Sequence, residues 1–266
     1  MATLASPCFI DVPIEALLSP AYSAGRRRMI DPERAAPGMP EPGSPNGERW
    51  RGDLLEPSLG HAPSVITEDE TSADTSYVCA VDRWGNVFSA TPSDGNTACP
   101  VIPGTGFVAS GRGSQSRPDP NHPTGIAPGK RPRLTPNPAI AMKPGEYVLP
   151  FGTPGGDVQV QAMTQCLVNM TVFGMDPQLA VEAPRFASYS FPSSFAPFDY
   201  RPGVLAVEDR VPKATSEALA AKGHQIEWWP ALADEAGSVC IIHHDLKSDV
   251  KSGAADPRRT AYAVGR

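Results

Sequence analysis

The sequence predicts an α+β protein in which sheets pack against each other and are covered by helices. Three observations lead there. Residues 75–91 hold two runs rich in β-branched and aromatic residues on either side of a turn signal, the pattern of a hairpin. Residues 157–173 carry apolar side chains at helical spacing. After them, strand-like and helix-like segments interleave without the regular βαβ rhythm of a doubly wound sheet.

Taken in order, residues 14–30 read as a short helical region with Leu17, Leu18, Tyr22 and Met29 as packing positions. From Asp31 to Glu70 the chain is crowded with proline, glycine and charge, including Pro32, Pro37, Gly38, Pro40, Pro42 and Pro45. Such a composition opposes regular structure and predicts a mobile loop or linker. The chain therefore divides near residue 75: residues 1–74 resemble the tail of a larger unit, and residues 75–266 the folded region. Within the latter, residues 75–81 and 87–91 form the hairpin around Asp82-Arg83-Trp84-Gly85-Asn86. Further strands are expected at 147–151, 226–229, 238–243 and 261–264. In the helix over 157–173, Val160, Met163, Leu167 and Met170 make one apolar face. Asp176-Pro177 supplies an N-cap and first-turn proline for a helix to residue 183, and residues 213–222 make another that stops at Gly223.

Composition narrows the function. The 266 residues, with mean hydropathy −0.26, can bury a sizeable core as one or two domains. Net charge is −6, and basic residues are scattered apart from Arg26-Arg27-Arg28, a solvated helix face, so no nucleic-acid surface is expected. No apolar run approaches the roughly 20 residues of a membrane helix, so no membrane partner is expected. By this chain alone the location is cytoplasmic; a signal sequence upstream of Met1 would make it periplasmic. Five widely spaced cysteines without a CxxC read as reduced, mostly buried thiols, not as a zinc site or disulfide framework. His243-His244 is a poor metal pair, because adjacent strand residues point to opposite faces, and reads as a surface feature.

A threonine hydroxyl is a weak nucleophile until a base takes its proton, and the α-amine of an N-terminal threonine is such a base. Its ordinary pKa of roughly 8 suits proton transfer near neutrality. Composition alone does not choose among the threonines here. The choice comes from ordered motifs: Thr75-Ser76-Tyr77-Val78-Cys79-Ala80-Val81-Asp82 with Gly85-Asn86; Gly104-Thr105-Gly106; Lys130-Arg131-Pro132; Gly152-Thr153-Pro154-Gly155-Gly156; Ala183-Pro184-Arg185-Phe186; and Asp256-Pro257-Arg258. Together they resemble the small subunit of the gamma-glutamyltransferases, with the end of the large subunit before it.

The resemblance implies an N-terminal-nucleophile hydrolase, an αββα sandwich whose large-subunit strands are mostly absent from this chain, with that missing portion as its structural partner. It implies that Thr75 is the nucleophile, freed when the Asp74–Thr75 bond is cut, and that no metal or organic cofactor is needed. Thr91 and Ser93 match the hydroxyls that orient the nucleophile, though either suits a turn as well. Gly155 and Gly156 match the oxyanion hole. Their backbone amides precede a helix N-terminus, which favours negative charge; a tight strand-to-helix turn is the plainer alternative. Asp82 and Arg185 match family positions but suit structural roles, and Trp84, Trp228 and Trp229 suit turn or core packing.

The pattern departs from the family at the substrate side. Where gamma-glutamyl enzymes carry an acidic motif for the α-amino group, this chain has Val108-Ala109-Ser110-Gly111-Arg112-Gly113-Ser114-Gln115, and where they carry Ser-Ser it has Leu134-Thr135. Arg112, Ser114, Gln115 and Thr135 are therefore the substrate-binding candidates, with Arg112 suited to a carboxylate. The expected substrate is a small-molecule amide, either a gamma-glutamyl compound or an acyl amide lacking the amino group. The competing expectation is a non-catalytic relative or fragment that keeps the fold for binding.

Overall fold

The computed structural model describes Phe9 and residues 11–47, 75–93, 99–195 and 198–265. Strands β1 (Val78–Val81) and β2 (Val87–Ala90) form the expected hairpin, with Val78 opposite Ala90 and Val81 opposite Val87. Asp82 fixes its turn: Oδ1 accepts the amides of Trp84 (2.8 Å) and Asn86 (2.9 Å), and Oδ2 accepts Asn86 Nδ2 (2.8 Å). A self-bonded Asx turn of this kind sets the register of everything that follows on both strands.

The hairpin rests on a four-stranded antiparallel sheet in the order β3-β4-β8-β9, built from β3 (Ala139–Lys143), β4 (Tyr147–Gly152), β8 (Cys240–Asp245) and β9 (Lys251–Ala254). Tyr77 lies on Gly152 so closely that a Cβ there would clash with its ring, which is why β4 ends in glycine. This contact ties the start of the hairpin to the loop after β4. The Tyr77 hydroxyl bonds Ser89 Oγ at 2.8 Å, and burial pushes its phenol pKa well up.

A second sheet, β5-β6-β7, pairs β5 (Phe186–Ser188) antiparallel to β6 (Val204–Glu208), which runs parallel to β7 (Gln225–Trp229) through helix α5 (Lys213–Ala221). The core joins strands of both sheets with helix residues, with Leu149, Phe151, Met163, Val181, Ala206, Trp229, Val239 and Ile241 among its members. Asp176 caps α4 (Pro177–Glu182) by accepting the amides of Gln178 and Leu179, and Gly223 closes α5 at φ +103°, both as the sequence predicts.

Four expectations need correction. The α-helix proper starts later, at Gln159 (α3, Gln159–Thr171), after a 3₁₀ turn over Gly156–Val158, and its buried face is Gln159, Ala162, Met163 and Cys166. Val160 is 55% exposed; small Ala162 and Cys166 allow the close approach instead, with Leu167 and Met170 at the margin. Residues 261–264 are not a strand: no described residue pairs with them, and Val264 is 96% exposed. The first region divides into α1 (Ile14–Leu17) and α2 (Pro20–Arg27), and Leu18 and Met29 face solvent. Residues 31–47 lack helix and strand, yet they are tethered, since Ala35 N donates to Lys222 O (2.7 Å) and Lys222 Nζ to Pro32 O (2.5 Å). The rest of the expected linker, Asp74 and Cys8 lie outside the described residues.

Candidate active site

The hairpin register carries past its last ladder pair and places Thr75 opposite Ser93, in an isolated antiparallel bridge. Their hydroxyls meet at 2.6 Å, and Ser76 N donates to Pro92 O at 3.0 Å. Two hydroxyls that lie eighteen residues apart in sequence are thereby in hydrogen-bond contact. Thr91 is buried beside this pair in sequence, with its Oγ1 lacking a partner among the described residues.

Arg112 anchors the Ser93 end. It sits in the 3₁₀ turn Gly111–Gln115, which Ser110 caps by accepting the Arg112 amide, and only 7% of it is exposed. Its Nε and Nη2 donate to Ser93 O at 3.0 and 2.7 Å, and Nη2 also reaches Ser93 Oγ. Nη1 reaches Gln115 Oε1 and Thr135 Oγ1, each at 3.4 Å. Three of the four expected substrate-side residues thus converge in one buried cluster beside Ser93. Ser114 does not join it, being exposed and turned back to Gly111 O at 3.0 Å. Gln115 is 1% exposed with Nε2 unpartnered among the described residues, a donor without an acceptor.

Gly155 and Gly156 follow β4 in conformations that favour glycine, at φ +128° and +53°. Neither amide donates a hydrogen bond to another described residue. Behind Gly155 stands Gly237, whose Cα would be 3.5 Å from an added Cβ. In front of Gly156 stands Phe195, whose ring edge would be 3.9 Å from one. The same ring lies 5.8 Å from the Arg112 guanidinium carbon. A chain of contacts therefore runs Thr75, Ser93, Arg112, Phe195, Gly156.

Sequence reasoning missed Phe195, Ser194 and Asp157. Asp157 accepts Ser194 N at 2.8 Å and also Ser194 Oγ, across 37 residues, and this holds the Phe195 loop against the glycine turn. The only local signal was an aspartate directly after Gly-Gly, which reads equally as a helix-start residue.

The gamma-glutamyltranspeptidase family profile matches residues 1–265. The chain belongs to that family. Its α+β architecture is that of the N-terminal-nucleophile hydrolases. Among relatives it is similar to the acylase ACY 1 proenzyme of Pseudomonas sp. strain SE83, 32% identical over 98% of this chain and 40% of the relative. It is 28% identical to the glutathione hydrolase proenzyme of Bacillus subtilis strain 168, over 97% and 41%. Among solved structures, LmbA2991HD superposes with a TM-score of 0.87 at 35% identity, over 97% of this chain and 44% of that one. The chain thus spans about two fifths of the length of these relatives.

In this gamma-glutamyltranspeptidase-family chain the late motifs prove structural. Arg185, 2% exposed, pairs with Asp256 at 2.6 Å and donates to Val181 O, Ala236 O and Gly237 O. Arg258 pairs with Asp256 at 3.1 Å and with Glu208 at 2.7 Å. Burial raises the Glu208 carboxyl, but Arg258 and Arg210 outweigh it and hold its pKa below the ordinary value. The cluster supports Gly237, and through it Gly155. Ser238 N adds a second tie by donating to Thr153 Oγ1 at 2.7 Å. Trp229 is in the core and Trp228 is half exposed, while Trp84 lies under Arg83 at 5.0 Å. His244 corrects the surface reading: it is 5% exposed and bonds Asp249 at 2.6 Å, while His243 stacks near Tyr147. Cys166 is buried; Cys79, Cys99 and Cys240 are half-buried, and all four are free thiols.

Proposed function

We propose that this chain is the catalytic part of an amide hydrolase or acyltransferase that works through an acyl-threonine, with residues 75–266 as the small-subunit-like region and residues 1–74 as the tail of the large-subunit-like region. Cleavage before Thr75 frees its α-amine. That amine takes the proton as Thr75 Oγ1 attacks the substrate carbonyl carbon. Gly155 and Gly156 amides hold the oxyanion, the C–N bond breaks, the amine leaves with the proton, and water or a second amine resolves the ester. The observation that carries this reading is the 2.6 Å hydroxyl pair of Thr75 and Ser93 at the open end of the hairpin. Support also comes from the Gly155 and Gly156 amides, which donate to no other described residue, and from relatives named as an acylase and a glutathione hydrolase, both proenzymes. Mass spectrometry of the expressed full-length protein tests it. Two pieces, one beginning at Thr75, are expected; an intact chain refutes it and favours a binding role.

Arg112 acts in this reading as a positioning residue, because its guanidinium is already engaged by Ser93, Gln115 and Thr135. Arg112→Gln is expected to slow both maturation and turnover by about 10²-fold, as loss of a buried charged donor does. Arg112→Lys, which keeps the charge without the fork, recovers part of the maturation rate in a time course. Gly155→Ala places a side chain at φ +128° and displaces an oxyanion donor; kcat should fall by about 10²–10³. Pre-steady-state acyl-enzyme formation reads that loss directly.

A further inference from the structure

Arg133 and Arg117 are not used by the chemistry above. The Arg133 side chain is only 13% exposed, and its Nε is buried without a partner among the described residues. Its nearest carboxylate, Asp157, stands 4.0 Å away and is already engaged by Ser194 N and Oγ. Arg117 is half-buried, with its guanidinium carbon 3.6 Å from the centroid of the Phe198 ring and no side-chain hydrogen bond to a described residue. Burial depresses the pKa of both guanidinium groups, and Arg133 lies near enough to depress that of Arg117 further. Two partly buried like charges, short of acceptors, are costly unless an anion completes them.

Their place is specific. Asp157 directly follows Gly156, and the loop it holds carries both Phe195, against Gly156, and Phe198, against Arg117. Phe198 N donates to Phe195 O at 2.7 Å, which fixes the two rings on one turn. A cationic, aromatic-walled patch therefore adjoins the proposed oxyanion turn. Planar guanidinium groups suit carboxylates, and aromatic walls suit the methylenes between a carboxylate and the scissile carbonyl. The run 108–115 offers no carboxylate for an ammonium group.

We propose that Arg133 and Arg117 form a subsite for a free carboxylate on the acyl group, so that the substrates are monoamides of short dicarboxylic acids without an α-amino group. This rests on the acyl-threonine reading.

The test uses the mature full-length protein with three p-nitroanilides of equal acyl length: glutaryl, gamma-glutamyl and pentanoyl. Glutaryl is expected to exceed pentanoyl in kcat/KM by about a hundred-fold, and Arg133→Met to erase most of that ratio, chiefly through KM. Arg133→Lys should restore part of it. Should Arg133→Met fail to fold, product inhibition of the wild-type protein decides: glutarate should inhibit at least about tenfold more strongly than pentanoate. Glutaryl and pentanoyl turned over within a few-fold of each other, equal inhibition by the two acids, or a gamma-glutamyl preference would overturn the subsite while leaving Thr75 chemistry standing. No turnover of any of the three, with no new threonine N-terminus, overturns both.

Discussion

Thr75→Ala is expected to leave the precursor uncut and inactive, with turnover down by at least about 10⁴-fold, because no other group supplies both hydroxyl and amine. The rest of the site offers no substitute. Ser93 lies 2.6 Å away, but its nitrogen is a peptide amide and no base, and its oxygens are held by Arg112. Thr75→Ser restores the hydroxyl and should restore cleavage at a reduced rate. Intact-mass spectra over a time course check both variants. If Thr75→Ala still matured and turned over substrate, the mechanism would have to be abandoned.

The second large effect falls on stability. Glu208→Gln removes a fully buried charge that accepts from Arg258 Nε and Nη2 (2.7 and 2.8 Å), Arg210 Nη2 (2.7 Å) and the amides of Arg185 and Ala233. Breaking a buried ionic cluster on one side costs about 3–5 kcal/mol, which lowers Tm by roughly 10 °C on the full-length protein in calorimetry. The pH dependence follows in sign. Because the folded pKa of Glu208 is depressed, its contribution is present above the ordinary carboxyl value of 4.5 and is lost as pH falls through the folded value. Wild-type Tm should therefore drop on acidification below that value, and Glu208→Gln should flatten this part of the curve. An unchanged Tm for the variant would remove the cluster from any account of the fold. Since Arg185 donates to Gly237 O and Gly237 backs Gly155, the variant should also lose turnover at temperatures where it remains folded.

Legibility in the sequence followed the range of the interactions. The hairpin could be read because its determinants are local: Asp82, Gly85 and Asn86 make the turn, and their register carries Thr75 to Ser93. Helix α4 could be read from Asp176-Pro177, and the end of α5 from Gly223. Strand β9, Lys-Ser-Gly-Ala, has no strand composition and exists because β8 pairs with it. The α3 face was misread because small residues, not the larger Val160, decide which side can approach β4. At the site, Arg112, Gln115 and Thr135 were legible as a departure from a family pattern, but their convergence on Ser93 was not. The Asp157 tie to Ser194 spans 37 residues, and nothing near either residue announces it.

The hairpin has one more implication, for what happens at the moment of scission. Two ties hold residue 75 without involving the bond before it: the Ser76 amide donates to Pro92 O, and the Thr75 hydroxyl meets Ser93 Oγ. The end that the proposed cut would liberate is thus moored beforehand. If the chain is cut as proposed, maturation would swap one functional group on a stationary residue, and competence should arise in step with the appearance of the shorter polypeptide, without a lag for rearrangement.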